Sequence, residues 1–76
     1  MGAQELRIPI YGLGCGGGGA TTVERALARA EGVLRSYVNP ATEVAYVDYD
    51  PSLTDAVRLT RAIDQTGYRA GPAVEA

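Results

Sequence analysis

The sequence contains no histidine and no lysine, and it has a single cysteine, Cys15. Without histidine it lacks the commonest protein metal ligand and the usual general base. One cysteine cannot close an internal disulfide, so the chain does not stabilise itself as small secreted domains do, and a reducing compartment suits it. All seven basic residues are arginine, scattered through a chain of net charge −2. That balance leaves no electrostatic footprint for nucleic acid. No apolar run approaches the length that spans a bilayer, and Met1 to Ile10 lacks the charged-then-apolar order of a signal peptide. The expectation is a soluble, cytoplasmic chain without membrane insertion.

Seventy-six residues, 46% hydrophobic and 21% charged, are expected to form one small domain over 1–76 in which every apolar face is used. Six of the ten glycines fall in Gly12-Leu13-Gly14-Cys15-Gly16-Gly17-Gly18-Gly19. Glycines free the backbone for positive φ and for close approach by another molecule. A sulfur on such a loop, beside the amides that open a helix, sits where a thiolate is stabilised. Cys15 is therefore a candidate soft-metal ligand or reactive thiol, against the alternative of a small buried cysteine in a tight turn.

Glu5 to Tyr11 alternates, with Leu6, Ile8 and Ile10 on one face, and reads as a half-buried strand. Pro9 has no N–H, so its position is expected at a sheet edge or where the neighbouring strand is too short to pair. Thr21-Thr22-Val23-Glu24 has capping-box spacing and predicts a helix start there, with Val23, Ala26, Leu27 and Ala30 as its apolar stripe and Gly32 as its end. Val33 to Val38 and Glu43 to Asp50 read as a hairpin closed by Asn39-Pro40-Ala41-Thr42. Its alternation predicts Ser36, Val38, Ala45, Val47 and Tyr49 on one side and Tyr37, Tyr46 and Asp48 on the other. Asp50-Pro51-Ser52 ends the hairpin, Ala56, Leu59, Thr60 and Ile63 mark a second helix ending at Gly67, and Tyr68 to Val74 reads as one last strand. The order βαββαβ predicts an α+β, ferredoxin-like fold: a four-stranded antiparallel sheet with two helices on one face.

In this order the residues resemble the heavy-metal-associated domain family of copper chaperones, amino-terminal domains of copper-pumping P-type ATPases and mercury-binding relatives. Gly12-Leu13-Gly14-Cys15 is similar to the family's Gly-Met-Thr-Cys, Val23-Glu24-Arg25-Ala26-Leu27 to the start of its first helix, and Gly32-Val33 to its Gly-Val. Val38-Asn39, Tyr49-Asp50-Pro51, and Ala62-Ile63 through Gly67-Tyr68 are similar to its second half. The resemblance implies a domain that binds and transfers a soft cation, Cu(I) foremost, with Hg, Zn and Cd as other soft ions. It implies Cys15 as metal ligand and Gly12, Leu13, Gly14, Gly16, Gly17, Gly18, Gly19 and Tyr68 as the loop around it.

The departure is the second cysteine of the family's Cys-x-x-Cys, for which Gly18 or Gly19 is the counterpart. Two thiolates then require a second copy of the chain, a small thiol or a partner's cysteine, with a P-type ATPase as the implied partner. The alternative is a metal-free interaction or regulatory module with a degenerate ion site. The glycine run lacks the Lys-Ser/Thr of a phosphate loop. Tyr11, Tyr37 and Tyr46 on the open sheet face lack the motif of aromatic RNA-binding sheets. With no histidine to activate Cys15, the chain is read as a non-enzyme.

Overall fold

The computed structural model describes residues 2–13 and 18–75. Strand β1 spans Gln4–Tyr11, helix α1 Gly18–Arg29, strands β2 and β3 Val33–Asn39 and Val44–Tyr49, helix α2 Ala56–Asp64, and two short strands, β4 and β5, Arg69–Ala70 and Val74–Glu75. The sheet order is β2-β3-β1-β4, with β5 also pairing β1, and each of these pairings is antiparallel. Two helices, an antiparallel sheet and this order make the ferredoxin-like arrangement that the alternating segments predict.

The core lies between the helices and one face of the sheet. Leu6, Ile8 and Ile10 from β1, Val38 from β2, and Ala45, Val47 and Tyr49 from β3 meet Val23 and Leu27 from α1 and Leu59 and Ile63 from α2. Ile8, Val23, Leu27, Val47, Leu59 and Ile63 are fully buried. On the other face Tyr37 and Tyr46 stack with ring centroids 6.3 Å apart, and the Arg7 guanidinium lies 6.0 Å from the Tyr46 ring.

The first helix starts earlier than the capping-box reading. It begins at Gly18, which places Thr21, Thr22 and Glu24 inside it. Thr22 Oγ1 donates back to the Gly18 carbonyl at 3.0 Å, the bond a threonine makes within a helix rather than at its cap. Glu24 does not reach back either: its Oε2 accepts from the Val38 backbone N–H at 3.0 Å. A tertiary partner took the carboxylate that the local motif assigned to the cap.

Gly32 closes the α1–β2 connection with φ +85°, and a Cβ there would lie 2.9 Å from both Leu53 Cβ and Thr54 Cγ2. Glycine is required by backbone and by space. In the hairpin, Asn39 Oδ1 accepts from the amides of Ala41 and Thr42, an Asx turn that fixes the register Tyr37↔Tyr46 and Val38↔Ala45. Asp55 caps α2 by accepting from the Arg58 amide at 2.9 Å, and Gly67 follows the helix with φ +97°.

The single last strand predicted over Tyr68 to Val74 is two pieces. Three steps along β1, from Ile10 to Arg7, are matched by four along the final segment, from Ala70 to Val74. One extra residue makes a β-bulge at Gly71-Pro72-Ala73. Pro9 is the reason it falls there. Its carbonyl accepts from the Gly71 amide at 2.7 Å, so its ring nitrogen faces the same edge and offers no N–H for a continuous ladder.

Candidate metal-loop site

The loop lies where β1 ends and α1 begins. Cys15, Gly14, Gly16 and Gly17 are outside the described residues; Gly12, Leu13, Gly18, Gly19 and Tyr68 are described. Gly12 leaves β1 with φ +91° and turns the chain toward the loop. Leu13 is buried, 6% exposed, and anchors the loop's first side to the core. Its burial does not follow from the strand pattern, because it lies beyond β1; Ala20, three residues before Val23, is buried on the stripe of α1 itself, which starts earlier than the capping-box spacing predicts.

On the far side the loop runs into α1, whose first residues carry free amides. Gly18 and Gly19 are adjacent there and differ completely in surroundings. A Cβ on Gly18 would have nothing within 4 Å. A Cβ on Gly19 would lie 2.8 Å from Tyr68 Oη, 3.0 Å from Tyr68 Cζ and 3.2 Å from Leu13 Cδ2. Tyr68, directly after Gly67, therefore lays its ring over the helix entry, close enough to Gly12 that a Cβ there would sit 3.9 Å from Tyr68 Cδ1. Leu13, Gly19 and Tyr68 form one packed rim. Gly18 stands outside it.

Of the residues predicted around Cys15, the fold thus brings Gly12, Leu13, Gly19 and Tyr68 together, and leaves Gly18 open. The sequence signal for this rim was the glycine at 19 and the tyrosine after a helix-ending glycine, with no spacing rule to join them. Among the described residues no three of Asp, Glu, Cys and His converge to hold a metal.

A model of the heavy-metal-associated domain matches residues 9–69, from the end of β1 to the start of β4. The chain belongs to the heavy-metal-associated domain family. This heavy-metal-associated domain is 39% identical over 67 residues to a probable copper-transporting ATPase of Arabidopsis thaliana, covering 88% of the chain and 7% of that relative. It thus spans under a tenth of the length of that relative, and 9% of a copper-exporting P-type ATPase of Staphylococcus aureus, to which it is 34% identical over 70 residues and 92% of its own length. Among solved structures it superimposes on a copper-binding domain of a P-type ATPase with a TM-score of 0.88 at 25% identity, covering 95% of this chain and 96% of that one. A heavy-metal-associated domain is a small binding and chaperone fold, so family membership makes the chain a non-enzyme. None of its described helices is long and apolar enough to cross a membrane.

Proposed function

We propose that this heavy-metal-associated domain carries Cu(I) as cargo, held by the Cys15 thiolate and one further sulfur from outside the chain. The observation that supports this reading is the open position at Gly18. It stands three residues after Cys15, at Cys-x-x-Cys spacing, with free space where a side chain would be. The chain has one thiol and no histidine, too few donors for a two-coordinate copper site or a four-ligand zinc site of its own. An incoming sulfur meets no side chain at Gly18, while the Tyr68 and Leu13 rim holds the helix entry on its other flank.

The second sulfur belongs to a second copy of the chain, to a small thiol such as glutathione, or to a cysteine of a P-type ATPase that receives the ion. A reducing cytoplasm keeps all of these as thiols. Residues 1–76 act together as one carrier unit in this reading, with Gly12, Gly14, Gly16 and Gly17 giving the backbone freedom for a close approach.

Copper titration under reducing conditions, with mass detection of intact complexes, tests it. Without a competing thiol, dimers with one ion per two chains are expected, and excess glutathione is expected to convert them to monomers. Cys15→Ser is expected to abolish both ion and dimer. Tight one-to-one binding by a monomer free of small thiols overturns the proposal, as does copper binding that survives in Cys15→Ser. A chain that binds no copper even with Cys15 in place would instead be a metal-free interaction module.

A further inference from the structure

The sheet has two edges, and a helix carboxylate sits on each. The order β2-β3-β1-β4 leaves β2 at one side and the β4–β5 segment at the other. On the first edge the Val38 N–H donates to Glu24 Oε2 at 3.0 Å, so this amide points away from β3. By the two-residue period of a strand the Ser36 amide points the same way. The Ser36 hydroxyl donates to the Glu24 carbonyl at 3.3 Å, and α1 is thereby hooked to the edge through both ends of one residue. On the second edge the Ala70 N–H donates to Asp64 Oδ1 at 3.0 Å. Pro72, two residues on, has no N–H to offer.

An edge strand with free amides is a template on which another strand pairs. At seven residues β2 is long enough to serve as one, and it exposes Leu34 and Tyr37 beside its ladder. The two carboxylates are spent in a way that neither helix needs for itself. Glu24 lies mid-helix and Asp64 ends its helix, yet each reaches an outward strand amide.

We propose that Glu24 and Asp64 close the two sheet edges against strand pairing by a second copy of this chain, which confines self-association to the glycine-rich loop. The part concerning the loop rests on the single-thiol site proposed above; the closing of the edges does not. A chain that meets its partner through one sulfur needs its backbone ladder withheld, because edge-to-edge pairing requires no ion and no particular orientation of the loops.

The test is made without copper, with reductant, in the Cys15→Ser background, so that failure of the thiol site does not affect it. The chain carrying both Glu24→Ala and Asp64→Ala is expected to sediment as dimers and larger species that grow with concentration, while its Cys15→Ser parent stays monomeric. Glu24→Gln with Asp64→Asn, whose amide oxygens still accept, is expected to stay monomeric. A folded alanine variant that remains monomeric over the same concentrations overturns the proposal, as does equal association by the Gln/Asn variant. Hydrogen exchange on the unaltered chain gives a reading that no folding defect can obscure. The Val38 amide is expected to exchange about tenfold or more slowly than that of Ser36 on the same edge. Equal rates overturn the assignment of Glu24 to the edge.

Discussion

At Gly18 and Gly19, consecutive residues of one helical turn have opposite tolerance for a side chain, and a cysteine scan distinguishes them. Gly18→Cys adds its sulfur in open space, so its stability is expected within about 0.5 kcal/mol of the parent, and the variant is expected to bind copper as a monomer. Gly19→Cys drives a Cβ into the Tyr68 ring and Leu13, an overpacking expected to cost about 1–3 kcal/mol. Urea denaturation of the two variants measures the difference, and equal midpoints would refute the rim. The sequence leaves these two glycines indistinguishable. What separates them is a tyrosine brought from the other end of the chain.

At the scale of elements, the large apolar residues of the stripes were legible, whereas Ala26 and Thr60, predicted with them, lie outside the core. Val23 and Leu27 in α1, Ile63 in α2, Ile8 and Ile10 in β1, and Val38 and Val47 in the hairpin all lie in the core. Each is set by a local period, and the period survives folding because it is the reason the element packs. Leu27→Ala is accordingly expected to cost about 2–5 kcal/mol in equilibrium unfolding, the range for a buried leucine cut to alanine; a value near zero would contradict the α1 register. Two features were misread for one physical reason. The Thr21-Glu24 pair resembles a cap until Val38 claims the carboxylate, and Tyr68 to Val74 resembles a continuous strand until Pro9 withholds the bond it needs. In both cases the deciding partner is remote in sequence. Cys15 itself was legible as a residue type in a glycine-rich setting, and it lies outside the described residues.

For the whole molecule, the core carries a titratable group where the helices meet the sheet. Tyr49 is 4% exposed and donates to Gln4 Oε1 at 3.1 Å. Burial raises its hydroxyl above the ordinary tyrosine range, with smaller contributions from the charges of Glu75 and Asp55. Below about pH 10, the unfolded value, the phenol is neutral in both states and its contribution is complete. As pH rises through 10 toward the higher folded value, only the unfolded chain loses the proton, so stability is expected to fall. Urea midpoints from pH 8 to 11 check this, and in Tyr49→Phe the portion of the alkaline decline due to this phenol should vanish.

The position of β1 also has a consequence for how the chain is made. It is the central strand, flanked by β3 on one side and by β4 and β5 on the other, and its register joins Gln4 to Tyr49 and Leu6 to Glu75. During synthesis from the amino terminus, the strand that emerges first is the one whose pairing is completed last. Its apolar side, Leu6, Ile8 and Ile10, waits for α1 and the hairpin, and its second edge waits for residues at the other end of the domain. A nascent chain halted before Arg69 would therefore pair β1 with β3 and leave its second edge open, and that stalled product, rather than the finished domain, is the species a chaperone would have to guard.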